Sequence, residues 1–134
     1  MLSFPSSIRV FIARQPVDFR KLHDGLVAII RDQFGDDPFD GSVFVFLNRK
    51  RDRVKVLHWD RDGLWLHYKR LEEGRFALAL DGDDPRVEVS RPELSMLLDG
   101  IDLKKQKIRR PFEAPLRRAV RGRHGDEPEL RASE

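Results

Sequence analysis

Apolar and polar residues alternate with period two along Ile8-Arg9-Val10-Phe11-Ile12-Ala13, which places Ile8, Val10 and Ile12 on one face of a first strand that Pro16 closes. The period then lengthens. Phe19, Leu22, Leu26, Ile29, Ile30 and Phe34 recur at three- and four-residue spacing, an apolar stripe that predicts a helix over Phe19 to Gln33 with Asp18 as its cap and Gly35 as its stop. Gly25 within it lowers helix propensity by about 1 kcal/mol relative to Ala. The turn-rich link Asp36 to Gly41 leads into three runs of strand length, Val43 to Leu47, Val54 to Trp59 and Leu64 to Leu71, each rich in β-branched or aromatic residues. They predict a three-stranded antiparallel meander. A basic turn joins the first two strands, and Asp60-Arg61-Asp62-Gly63 joins the last two, with Gly63 where a positive φ is expected.

Beyond Phe76, the run Ala77 to Leu80 has the composition to continue as a strand, and Val87-Glu88-Val89 that of a short edge strand. Ser90-Arg91-Pro92-Glu93 is a capping-box pattern, with Ser as the cap, Pro tolerated in the first turn and Glu able to reach back. Leu94, Leu97 and Leu98 give that short helix its buried side, and Gly100 ends it. From Lys104 the apolar periodicity is lost among charges, with Pro111, Pro115, Gly122, Gly125 and Pro128 interrupting. The expectation is one α+β domain over residues 1–110, built from an antiparallel meander sheet, one main helix and a short second helix, followed by a basic, disordered tail over 111–134.

Composition sharpens this in two ways. Both Trp, the single Tyr and three of the nine Phe lie between Val43 and Phe76, so the large apolar area is concentrated in the meander. Charge is unevenly spread although the formal net is only +3. Asp81 to Asp102 is acidic, Lys104 to Arg121 is basic, and the meander carries Arg49, Lys50, Arg51 and Arg53 around its first turn, Lys55 on its second strand, and Lys69 and Arg70 on its third. Such asymmetry points to an anionic partner. Strand alternation puts Val54, Val56 and His58 on one face and Lys55, Leu57 and Trp59 on the other. Either one sheet face covers the helix while the other presents aromatics among cations, a composition suited to phosphates and bases, or the aliphatic stems shield a half-exposed sheet and the turn charges are solvated.

There is no Cys, which excludes disulfides and thiolate metal sites. No stretch approaches the roughly 20 apolar residues of a membrane span, and the N-terminus lacks a leader pattern, so a soluble, cytoplasmic protein is expected. Phosphate loops, dinucleotide fingerprints and nucleophile elbows are all missing. His58 and His67 fall on neighbouring strands with Asp60 nearby, but His on a half-buried strand is ordinarily packed or hydrogen-bonded, so neither metal nor cofactor is assigned. Asp60-Arg61-Asp62-Gly63 lacks the later ligands of a calcium loop, and Asp18, Asp24 and Asp60 are more simply a cap, a helix-face charge and a turn. The chain reads as non-catalytic.

Several motifs occur in an order that resembles one family. They are Asp18-Phe19-Arg20-Lys21 with Asp24-Gly25-Leu26, Val43-Phe44-Val45-Phe46, Arg51-Asp52-Arg53-Val54-Lys55, Trp59-Asp60-x-x-Gly63, Lys69-Arg70-Leu71-Glu72-Glu73-Gly74-Arg75-Phe76, and Leu97-Leu98-Asp99-Gly100-Ile101-Asp102. Together they resemble the TnpB accessory proteins, products of the second reading frame in the sixty-six family of bacterial insertion sequences, which are unrelated to the RNA-guided nuclease of that name. The resemblance covers roughly Ser6 to Pro111. It implies a role in transposition beside a separate, larger transposase that carries the acidic catalytic triad, and beside a second small accessory protein. His58 and His67 depart from the pattern, standing where aromatic or other residues are expected. Two readings remain open. One is a non-catalytic accessory that binds DNA through Arg49, Lys50, Arg51, Arg53, Lys55, Lys69 and Arg70; the other is an adaptor that docks the transposase through the aromatic sheet face or the acidic Asp81 to Asp102 region, without touching DNA.

Overall fold

Val43 to Leu47 is apolar at every position, which is the signature of a strand covered on both faces, and all five of its residues are buried. In the computed structural model, which describes Phe4, residues 7–78 and 80–99, and the backbone of 101–102 and 107–108, this strand is the middle of a five-stranded sheet. The elements are β1 (Val10–Ala13), α1 (His23–Ile29) running on into a π-helical turn (Ile30–Phe34), β2 (Val43–Leu47), β3 (Arg53–Asp60), β4 (Gly63–Arg70), β5 (Arg86–Val89), α2 (Arg91–Asp99), and a small pair β6 (Ile101–Asp102) and β7 (Lys107–Ile108). The order across the large sheet is β4-β3-β2-β1-β5. The meander β2-β3-β4 is antiparallel, with Val45 opposite Val56 and Leu57 opposite Leu66.

β1 pairs with β2 in parallel, Val10 opposite Val43, so the sheet is mixed rather than purely antiparallel. The crossover through α1 permits this, since a helix has the length to return the chain in the same direction. β5 is the edge strand expected, antiparallel to β1. The fold class is α+β, with a main helix and a short second one.

The core has two halves, one on each sheet face. Val10, Ile12, Val43, Val45, Leu47, Val54 and Val56 pack with Phe76 and with Leu94, Leu97 and Leu98 of α2. Phe11, Ala13, Phe44, Phe46, Leu57 and Leu66 pack with Leu26, Val27, Ile29 and Ile30 of the main helix. Each fully buried side chain of this kind contributes about 1.5–3 kcal/mol. Of the two readings of the sheet, the one with an open, aromatic and basic face does not hold: α1 covers one side, and α2 with Phe76, Leu71, Leu78 and Leu80 covers the other. Leu78 and Leu80 pack on that second half, but the described part of Ala77 to Leu80 has no strand pairing.

Three local expectations also change. The helix starts at His23, not Phe19, and Leu22 is 55% exposed. Asp18 does not cap it: its carboxylate accepts the Arg20 amide at 2.9 Å, closing a tight turn upstream of the helix, and Leu22 at the N-cap offers no side-chain bond. At the β3–β4 turn the left-handed residue is Arg61 (φ 54°), while Gly63 is already the first residue of β4. Other signals hold. Gly35 ends the helical segment at φ 71°, and the capping box closes with Glu93 N donating to Ser90 Oγ at 3.1 Å and Ser90 N donating to Glu93 Oε1 at 2.7 Å. The Gly100 stop and the tail over 111–134 lie outside the described residues.

Candidate functional site

The turn between β2 and β3 is organised by Asn48. Its Oδ1 accepts the Arg53 amide at 3.0 Å, its Nδ2 donates to Asp52 Oδ1 at 2.6 Å, and its carbonyl accepts the Arg51 amide at 3.0 Å. Arg51 takes a left-handed φ of 60° to complete the turn. The Asn48 hydrogen bond, helped by nearby Arg53 and Lys50, holds the Asp52 carboxyl below its usual range. Arg49 and Lys50 are thereby lifted to the apex, exposed, with no hydrogen bond or ion pair among the described residues.

The other cations assigned to a DNA surface are placed differently. Arg51 is half-buried and its guanidinium donates to the Leu78 carbonyl at 2.8 Å. Arg53, also half-buried, reaches Tyr68 Oη at 3.3 Å and stands directly opposite Arg70 across β3 and β4. Arg70 is exposed and paired with Glu72 at 2.8 Å. Lys69 donates to the Leu98 carbonyl at 3.2 Å, a cation at the last turn of α2.

Lys55 is a correction. It is 1% exposed, so it cannot contact a phosphate. Its Nζ donates to the carbonyls of Phe19 and Lys21 at 2.8 and 2.6 Å and lies 4.9 and 5.3 Å from the ring centroids of Phe19 and Tyr68. Burial lowers the Lys55 pKa, opposed by the charge of Asp18. The signal was present in the alternation, because Lys55 shares its face with Leu57 on the side that α1 covers.

The remaining motif residues gather around the same hairpin. Asp18 is bridged to Arg20 at 2.7 Å, which with the Arg20 amide holds its carboxyl well below the usual range. The turn they form presents the two carbonyls that Lys55 binds, and an exposed Lys21. Gly25 sits close under Lys21: a Cβ there would lie 3.0 Å from Cβ and Cγ of Lys21, a tight contact that this exposed side chain would have to shift to admit. Asp24 is an exposed acid in the first turn of α1. From the other side, Leu71 N donates to the Asp52 carbonyl and Phe76 N to the Arg51 carbonyl, both at 2.7 Å, with Gly74 at φ 86° between them and Phe76 fully buried. Thus Arg51 to Lys55 joins two motifs distant in sequence, Asp18 to Lys21 through Lys55 and Lys69 to Phe76 through Arg51 and Asp52.

At the far end of β3, Trp59 meets the edge of Phe39 with centroids 5.3 Å apart, and Asp60 Oδ2 accepts from Trp65 Nε1 at 3.1 Å. His58 and His67 come together there, Nε2 to Nε2, at 3.3 Å. Burial pushes the His58 pKa down, against the opposing charge of Asp60. No group of three or more His, Asp or Glu side chains converges in a way that would hold a metal among the described residues, and no helix among them is long and apolar enough to cross a membrane.

Comparison with known proteins places these features in a lineage. Two uncharacterized proteins of Sinorhizobium fredii are similar to the chain: y4jC is 35% identical over 114 residues, covering 83% of this chain and 97% of its own, and y4hO is 34% identical over 102 residues, covering 76% and 88%. No solved structure matches significantly. The family described as IS66 Orf2 like protein matches residues 8–108, from the approach to β1 through β7, and so takes in the hairpin and every motif that docks on it. The chain belongs to the IS66 Orf2-like family, accessory proteins of bacterial insertion sequences.

Proposed function

We propose that this protein is a non-catalytic accessory of transposition that binds DNA through the tip of the β2–β3 hairpin, alongside the transposase and the second accessory protein of its element. The observation that carries the reading is the apex itself. Arg49 and Lys50 are held out by the Asn48 turn, exposed and with no hydrogen bond or ion pair among the described residues, and Arg53 and Arg70 stand opposite one another on the adjoining strands. Like charges directly opposed across strands are unfavourable; Glu72 offsets part of this at Arg70, and phosphate oxygens would offset more. Lys55 is excluded from the surface by burial, and Arg51 and Lys69 are engaged internally. The proposed DNA surface thus centres on Arg49 and Lys50, flanked by Arg53, which also reaches Tyr68, and by the exposed Arg70, whose pair with Glu72 a phosphate would replace.

The adaptor reading keeps less support. The aromatic sheet face on which it relied is covered by the helices, leaving Trp65 as the exposed aromatic of the meander at 40%. The acidic loop Asp81 to Asp84 remains on the surface. Binding of purified protein to the element's terminal DNA, measured against salt, separates the two. Steep salt dependence is expected, and replacing Arg49 and Lys50 with Ala lowers the log–log slope by about two units, since each phosphate neutralised contributes about 0.9. If there is no salt-sensitive binding, alone or with the transposase, the adaptor reading takes its place.

A further inference from the structure

The pair His58 and His67 lies on the sheet face opposite α1, at the end of β3 and β4 far from the basic turn, and the DNA reading makes no use of it. His58 is opposite Trp65 and His67 opposite Val56, so the two rings approach diagonally across the strands. Their planes are 7° apart and their centroids 5.4 Å apart, against 3.3 Å between the Nε2 atoms. The centroid separation exceeds the nitrogen separation by about 2 Å, which puts both nitrogens on the facing edges of the rings. Phe4 packs edge-on against His58 at 5.0 Å, and Trp65 lies parallel to His67 at 5.8 Å, so the rings are held from outside.

Two imidazole nitrogens facing each other need an electrophile between them. In the metal-free chain that is one proton, carried by whichever ring is the Nε2–H tautomer. The separation also matches a second occupant. Two imidazole donors at about 2.0–2.1 Å from a tetrahedral ion are separated by roughly 3.3 Å. We propose that His58 and His67 form an open two-histidine site for a borderline divalent transition ion such as Zn²⁺, Cu²⁺ or Ni²⁺.

The donors select the ion class: imidazole nitrogen suits these ions, while Mg²⁺ and Ca²⁺ require oxygen ligands. With both rings neutral and in the Nδ1–H tautomer, each Nε2 gives its lone pair to the ion without net proton release. Water completes the coordination. Asp60, two residues from His58 on the same strand face, is engaged by Trp65 Nε1, so the protein ligands proposed are the two imidazoles alone. With two protein ligands the site is weak and exchangeable, and it bridges β3 to the edge strand β4. It stands independently of DNA binding.

The test uses the untagged full chain, titrated with zinc and nickel chloride by calorimetry, and with copper by quenching of Trp fluorescence, which reports on the indole beside His67. One equivalent is expected to bind at submillimolar concentration, at least tenfold more weakly in His58→Gln and in His67→Gln. The double variant His23→Gln, His124→Gln should bind as the parent does. Circular dichroism of the metal-free variants checks folding, and if one Gln variant fails to fold, zinc-dependent shifts of the two imidazole carbon protons in the parent give the same answer. No binding below millimolar metal, affinity unchanged in His58→Gln, or loss of binding in the His23/His124 variant would overturn the site.

Discussion

Lys50 and Lys55 are five residues apart on one hairpin and face opposite physical problems. Lys50 sits exposed at the apex, where water can hydrate its ammonium. Lys55 is enclosed by Phe19, Tyr68 and two backbone carbonyls, at 1% exposure. A buried ammonium is costly unless its donors are met, and here the fold supplies oxygens from a turn far upstream in sequence. The inner cation ties motifs together and the outer ones remain available to a partner. A run of basic residues on a strand and its turn is therefore two populations, and burial sorts them.

The largest effect expected on stability is at Lys55. Lys55→Met keeps the apolar stem but leaves the Phe19 and Lys21 carbonyls without their donor, and should lower stability by about 3 kcal/mol, since hydrogen bonds to charged groups are worth about 1.5–3 kcal/mol each and relief of ammonium desolvation returns part. Urea unfolding measures it. The pH dependence has a definite sign. Burial lowers the folded-state pKa below the ordinary 10.5, so over that window the unfolded chain binds more protons and the parent gains stability as pH rises toward 10.5. The Met variant lacks that gain. An unchanged midpoint in Lys55→Met would mean that the inner cation holds nothing together.

Much of this was legible in the sequence where one period dominated. The β2, β3 and β4 runs, the apolar stripe of the main helix, Gly35 and the Ser90/Glu93 box all depend on local pattern, and local pattern survived folding. The start of the helix did not follow. Phe19 fits the stripe, but the Asp18 carboxylate closes its own turn and Lys55 binds the carbonyls of Phe19 and Lys21, a tertiary contact that no local window contains. The covered second face was legible in Val43 to Leu47, whose unbroken apolar run excludes an open side, yet the alternating cations of the neighbouring strands argued otherwise. The His58–His67 approach depended on register. With Asp60 opposite Gly63, the diagonal neighbours of β3 and β4 are fixed, and one residue of slip would send the two rings to different faces.

Arg51 is intermediate. Its guanidinium bonds the Leu78 carbonyl at 2.8 Å from a half-buried position, and its own carbonyl receives Phe76 N, so the side chain adds to the two backbone bonds, Phe76 N to Arg51 and Leu71 N to Asp52, that tie the turn to the 71–80 segment. Arg51→Ala should cost about 1 kcal/mol, less than a fully buried charged bond because water can replace the donor. Hydrogen exchange is the sharper measurement: the Phe76 amide should lose protection while the β2 amides keep theirs. Equal loss across both would place Arg51 with Lys55 among the cations that hold the whole sheet.

At the apex the expected effect on stability is nearly nothing, and that is the informative result. Arg49→Ala and Lys50→Ala each remove an exposed cation with no bonded partner among the described residues, so unfolding free energy should change by less than about 0.5 kcal/mol. The sign can be argued as well. Arg49 and Lys50 are adjacent to one another and close to Arg51 and Arg53, and removing one relieves a small like-charge repulsion, while Lys50 also loses its weak attraction to Asp52. Arg49→Ala should therefore be neutral or slightly stabilising at low salt and Lys50→Ala closer to neutral, and both differences should fade as salt screens them. A loss of more than about 1 kcal/mol at either position would show an apex cation serving the fold, since surface substitutions away from specific contacts rarely exceed half that. The division between inner and outer cations would then fail at the residues on which the DNA reading depends.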